Sequence, residues 1–169
     1  MNKNKIEVII RNVESNDIDD VMRVEIDNFG NVATTREAME ERAEKTPDTF
    51  YIAEVDGKFA GYMEGAVITD KHLTDELFSH VDENPEEGGY IAITSLSIDE
   101  KFQGAGIGDA LIQAMKDLAR GTKRKGITLT CHDYLIKYYE KKGFTYDGES
   151  KSNLGGEEWF NMIWKVGEK

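Results

Sequence analysis

Apolar positions along this chain recur with two different periods, and the places where the period changes divide it into elements. Ile6 to Arg11 (IEVIIR) is a short β-rich run. The stretch from Ser15 (SNDIDDVMRVEIDNF) opens on capping residues and sets Ile18, Val21, Met22 and Ile26 at helical spacing. A strand followed by a helix is expected. A second, mostly charged helix is predicted over residues 35–44, closed before Pro47 and Asp48. TFYIAEV (Thr49 to Val55) and FAGYMEGAVI (Phe59 to Ile68) flank Asp56-Gly57, a pair suited to a tight hairpin turn. Residues 70–89 are polar, acidic and contain Pro85, which predicts a loop with room for one helical turn; GYIAITSLSI (Gly89 to Ile98) is the longest strand candidate. Ile107, Leu111, Met115 and Leu118 then form one stripe, with Ala110 and Ala114 beside it and Gly121 placed to stop the helix. ITLTC (Ile127 to Cys131), a short helix over about residues 133–142 stopped by Gly143, and strands near Phe144 and from Glu158 to Val166 complete the chain. The order β-α-α-β-β-β-α-β-α-β-β is that of an α/β (α+β) fold, a mixed sheet with helices on its faces.

Composition narrows the function more than the fold. With 169 residues, 39% of them hydrophobic, and no compositionally distinct half, residues 1–169 fit a single domain with its own core. The 33 acidic against 21 basic residues leave a formal net charge of -12, which repels phosphate backbones and anionic lipid. Neither nucleic acid nor a membrane is an expected partner. The apolar run Val8 to Ile10 is too short for a signal-peptide core and no stretch approaches a membrane span, so a cytoplasmic protein is expected. A single cysteine, Cys131, excludes an internal disulfide and a multi-cysteine metal site. A calcium loop beginning at Asp82 would need glycine and glutamate where Glu87 and Ile93 stand, and no metal is predicted. Nothing in the pattern sets an oligomeric state.

The longest strand runs straight into FQGAGIGDAL (Phe102 to Leu111), a glycine turn opening a helix. Glycines let backbone N–H groups approach a ligand closely, and a helix start concentrates unpaired N–H donors with partial positive charge, so the combination suits phosphate. A nucleotide P-loop would need Gly-Lys-Ser/Thr, but Gly108 is followed by Asp109; the dinucleotide fingerprint begun at Gly104 would need glycine at the same Asp109. Both fail, and a merely structural tight turn competes with any ligand-binding reading.

Gln103 to Gly108 reads Q-x-x-G-x-G after one strand, and YYEKKGF (Tyr138 to Phe144) follows the next. Together these motifs resemble the GNAT superfamily of acyl-CoA-dependent N-acyltransferases, over nearly the whole chain in element order. The resemblance implies a mostly antiparallel mixed sheet and acetyl-CoA as co-substrate. It implies that Gln103, Gly104, Ala105, Gly106, Ile107, Gly108 and Asp109 wrap the CoA pyrophosphate, with Tyr138 beside them, and that Leu96, Ser97 and Ile98 pair through their backbone with pantetheine. EIDNF around Phe29, ITDKHLTDELF and CHDYLIKYYEKKGFTYDGES are further similar to the arylalkylamine N-acetyltransferase branch. By that similarity Tyr139 is the general acid, and Phe29, Leu154 and Trp159 line the acceptor pocket. Where the animal enzymes of that branch carry two proton-moving histidines, this chain has Ala92 and Thr94.

The chemistry agrees with these residue types. An alkylamine with a pKa of about 10.4 attacks a thioester only as the rare neutral form at pH 7, so a proton must leave first. The expelled thiolate then needs a proton, which a phenol such as Tyr139 can donate. His132 suits a base or relay, and a solvent-facing histidine at a strand end is the plain alternative. Cys131 and His132 would point to opposite faces if the strand persists to residue 132, which disfavours a covalent cysteine route. His72 and His80 are expected to be solvated. The expected function is transfer of acetyl from acetyl-CoA to a small, arylalkylamine-like primary amine. Polyamine, protein N-terminal or lysine acetylation, and a non-catalytic acyl-CoA-binding domain, stand as alternatives.

Overall fold

The structure, a computed structural model, describes residues 7–167; the predicted start of the first strand at Ile6 lies outside them. Seven strands form one sheet in the order β1-β2-β3-β4-β5-β7-β6. They are β1 (Val8–Asn12), β2 (Phe50–Val55), β3 (Lys58–Ile68), β4 (Tyr90–Ile98), β5 (Gly126–Cys131), β6 (Thr145–Glu149) and β7 (Phe160–Lys165). All neighbours are antiparallel except β4 and β5. That one parallel pair needs a crossover, and α3 (Ile107–Gly121) supplies it. The other helices are α1 (Ile18–Phe29), α2 (Arg36–Lys45) and α4 (Ile136–Lys141). Asp56 and Gly57 take φ of 52° and 75°, the left-handed pair that a two-residue hairpin between β2 and β3 requires.

Strand alternation gives the sheet two apolar faces. Phe50, Ile52 and Tyr62 face one core with Val21 and Met22 of α1 and Met39 of α2. Ala53, Met63, Ile91 and Trp164 face the other, against Leu111 and Met115 of α3 and Tyr139 of α4. In α3 the predicted stripe is buried at Ile107, Leu111 and Met115 and partly buried at Leu118. In α1 the spacing leads somewhere else. Ile26, expected in the stripe, is 53% exposed, while Glu25 is 3% exposed. Residues 18, 22, 25 and 29 share one helical face, so an acid occupies the core-facing position between Met22 and Phe29. The fold tolerates it only because β3 and β4 bring hydroxyl groups to meet it.

Candidate active site

β4 and β5 pair only from Tyr90↔Gly126 to Ile93↔Leu129, although β4 runs on to Ile98 and β5 to Cys131. The two strands part where β4 is irregular: Glu64 pairs with Ser95 and Gly65 with Ile93, leaving Thr94 as the extra residue of a bulge. Beyond Ile93 the β5-facing edge of β4, including Leu96, Ser97 and Ile98, has no partner strand among the described residues. The Ile98 carbonyl instead accepts from Asn28 Nδ2 at 3.1 Å and Gln103 Nε2 at 3.3 Å.

At the end of β4 a short turn leads to Gly104 and Gly106, with φ of 78° and 81°, and α3 starts at Ile107. Among the described residues, no protein group accepts a hydrogen bond from the amides of residues 104–109. A Cβ built at Gly104 or Gly106 meets nothing within 4 Å, so the turn has free space beside these two glycines. The second motif closes over the same helix start. The Tyr138 hydroxyl lies 2.9 Å from a Cβ built on Gly108, and Lys142 Nζ sits on the Asp109 carboxylate and 5.1 Å from the Tyr138 ring centre. The hydrogen bond to Asp109 raises the Lys142 pKa.

Between the parted ends of β4 and β5 lies a cavity of about 140 Å³. Its wall includes Phe29, Leu96, Leu154 and Trp159, from three distant parts of the chain, together with Tyr139 and His132. Tyr139 is buried, edge-on to Tyr138 (5.0 Å between ring centres) and to Phe144 (5.7 Å). Burial, with small contributions from Tyr138 and Cys131, pushes its pKa well above 10, which keeps the phenol protonated. Trp159 is fixed by a hydrogen bond from Nε1 to the Leu154 carbonyl at 2.9 Å, and the His132 ring stacks on it at 4.3 Å. Ala92 is fully buried, while Thr94 lines the cavity and donates to the Glu64 carboxylate.

β5 ends at Cys131, so strand alternation does not separate Cys131 from His132, and both line the cavity. A reactive thiolate is disfavoured instead by burial, which pushes the Cys131 pKa up to about 11. His72 and His80 are solvent-accessible as expected, and each also has acidic partners: His72 Nε2 lies 2.6 Å from Asp147 Oδ2, and His80 lies 3.2 Å from both Glu41 and Asp82.

The sequence reading also missed a buried polar layer behind the cavity. Arg42 and Glu64, both almost wholly enclosed, pair at 3.1 Å, and Arg42 also donates to the Phe78 carbonyl at 2.8 Å. Burial raises the Glu64 pKa against the lowering pull of Arg42 and Thr94. Beside them Glu25, itself in the cavity wall, accepts from Ser95 Oγ at 2.7 Å, from the Tyr62 hydroxyl, and from the Thr34 amide at 2.8 Å. The available signal was an acid recurring at the i+7 position of the Ile18 stripe.

The profile of the Acetyltransferase (GNAT) family matches residues 18–144, three-quarters of the chain and both motifs. The chain belongs to that family. It is an acetyl-CoA-dependent N-acetyltransferase, and the splayed strands, the free amides and the open glycine cradle are a place where an acyl-CoA would fit. Solved structures share the fold. Ard1 from Thermoplasma volcanium is 20% identical with a TM-score of 0.71, covering 94% of this chain and 97% of its own. The loading GNATL domain of CurA from Lyngbya majuscula is 14% identical with a TM-score of 0.77, over 95% and 98%. The ribosomal-protein-S18-alanine N-acetyltransferase from Escherichia coli is 14% identical with a TM-score of 0.69, over 95% and 94%. A search of curated proteins finds no match. Among the described residues no helix of this acetyltransferase is long and apolar enough to cross a membrane.

Proposed function

We propose that this acetyltransferase acts on a small primary amine with an apolar, arylalkyl-type body, by direct attack of the amine on acetyl-CoA in a ternary complex. The observation that carries the reading is the cavity itself. Its volume of about 140 Å³ is close to that of an apolar cavity known to take one benzene ring, and Phe29, Leu154 and Trp159 give it aromatic and aliphatic walls. Burial of a flat apolar group supplies the affinity there.

In this reading the amides of residues 103–109 hold the CoA pyrophosphate and Tyr138 packs over it. The free edge at Leu96, Ser97 and Ile98 aligns pantetheine, as an added strand would. The amine nitrogen attacks the thioester carbonyl, the C–S bond breaks, and the Tyr139 hydroxyl gives its proton to the departing thiolate. His132, stacked at the cavity wall, relays a proton towards solvent.

The test is acetylation of phenethylamine and tryptamine against spermidine, a lysine peptide and an alanine-starting peptide, followed by thiol release. The arylalkylamines are expected to give the highest kcat/KM. A clear win for the polyamine or a peptide refutes the aromatic pocket and moves acceptor recognition to the acidic surface.

A further inference from the structure

Glu25 is the one carboxylic acid in the wall of a cavity otherwise lined by apolar side chains, hydroxyls, Cys131 and His132, and its partners are all neutral: two hydroxyls, from Ser95 and Tyr62, and the Thr34 amide. The neighbouring carboxylate, Glu64, has its counter-ion in Arg42. Among the described residues no lysine, arginine or histidine lies within ion-pair distance of Glu25. A buried carboxylate without a cation is costly, and neutral hydrogen bonds recover only part of that cost. Three donors also leave one of the roughly four lone-pair sites of a carboxylate unused. Glu25 therefore places a carboxylate with acceptor capacity to spare in the cavity wall.

We propose that Glu25 is the counter-ion and proton acceptor for the acceptor amine: its carboxylate binds the incoming ammonium and takes one proton from it. This role rests on the amine reading above but not on an aromatic body. The step balances simply. The N–H bond of R–NH3+ breaks, the proton goes to a Glu25 oxygen, and R–NH2 with a free electron pair is left facing the thioester carbonyl. After attack the second nitrogen proton is lost to the phenolate that Tyr139 becomes on protonating the thiolate, which restores the Tyr139 hydroxyl. Glu25 returns its proton to solvent once the product leaves. Ser95 and Tyr62 position the carboxylate, and burial together with the Glu25 charge raises the Tyr62 pKa and keeps that phenol a donor.

The role explains how a chain with Ala92 and Thr94 on the long strand could still deprotonate its acceptor: the group comes from α1 on the opposite wall.

The experiment has one arm on the wild-type protein and one on a variant. With CoA bound, phenethylammonium and its neutral isostere 2-phenylethanol are titrated into wild type by calorimetry. The ammonium should bind at least about 10-fold more tightly, the range of a charge-assisted hydrogen bond. In Glu25→Gln that preference should vanish while affinity for the alcohol, CoA affinity and melting temperature stay near wild type. For the best amine of the acceptor panel, KM should rise about 10-fold or more and kcat should fall about 100-fold. Equal binding of alcohol and ammonium to wild type overturns the proposal, and so does a Glu25→Gln enzyme within twofold of wild type on that amine. If neither aromatic compound binds but spermidine or a peptide is acetylated, the aromatic reading fails alone and Glu25 is judged on that acceptor. If wild type acetylates no amine, both fall.

Discussion

Replacing Gly106 with valine separates what the glycine turn does for folding from what it does for the co-substrate. Gly106 holds φ 81° and ψ 12°, where an L-residue costs about 1–2 kcal/mol. A Cβ there meets nothing within 4 Å, so no clash adds to that figure. Against a typical stability of about 5–15 kcal/mol the fold should survive, with a melting temperature lower by about 2–8 °C. Binding should suffer far more. The dihedrals of residue 106 set the directions of its own amide and that of Ile107, both without a protein acceptor. Relaxing the strain turns these donors away, and the branched side chain enters the space in front of them. Two lost hydrogen bonds to a charged group, at about 1.5–3 kcal/mol each, correspond to a CoA dissociation constant about 10² to 10⁴ times higher. Calorimetric titration of CoA, with a thermal melt of the same sample, measures both numbers. Gly121→Ala, at the far end of the same helix with open space around it, is the control and should leave CoA affinity unchanged. A folded Gly106→Val protein that binds CoA within threefold of wild type would refute the assignment of these amides.

Tyr139→Phe should lower kcat by about 10² or more with unchanged CoA affinity, and full activity in that variant would require another acid. Because burial raises the Tyr139 pKa, tyrosine ionisation should cause no loss of wild-type activity between about pH 8 and 9.5, and a falling limb there that is absent from Tyr139→Phe would contradict this. Cys131, raised to about 11, should be alkylated by iodoacetamide at pH 8 about 100-fold more slowly than a thiol of pKa 9.0, with the rate climbing as pH rises. An acetyl-cysteine seen by mass spectrometry after mixing with acetyl-CoA would disprove direct attack.

Much of the frame was legible because its determinants are local. The period of apolar positions marks strands and helices. Asp56-Gly57 carries its own turn geometry, and Gln103 to Gly108 needs only its neighbours to make a row of amides at a helix start. The family resemblance rested on such segments, and the profile match over residues 18–144 agrees with it at that level. The arylalkylamine refinement rested on pocket side chains, whose meaning depends on what lies opposite them.

What sequence order alone determined here was the succession of elements, a strand leading into a glycine turn, and a charge that turns away polyanions; that strand, expected to be the longest, has 9 residues against 11 in β3. Tertiary structure alone decided the rest. Ile26 and Glu25 are adjacent in sequence, and periodicity favours burying the isoleucine. The acid goes inward because hydroxyls from Tyr62 and Ser95 and the amide of Thr34 converge on it, and that convergence exists only once α1 is laid across β3 and β4. The bulge at Thr94, which parts β4 from β5 and opens the cavity, is likewise a property of strand pairing between distant segments. Backbone preference acts between near neighbours and is written along the chain; desolvation and hydrogen-bond compensation act between whatever groups the fold brings together, and they become determinate only when it has done so.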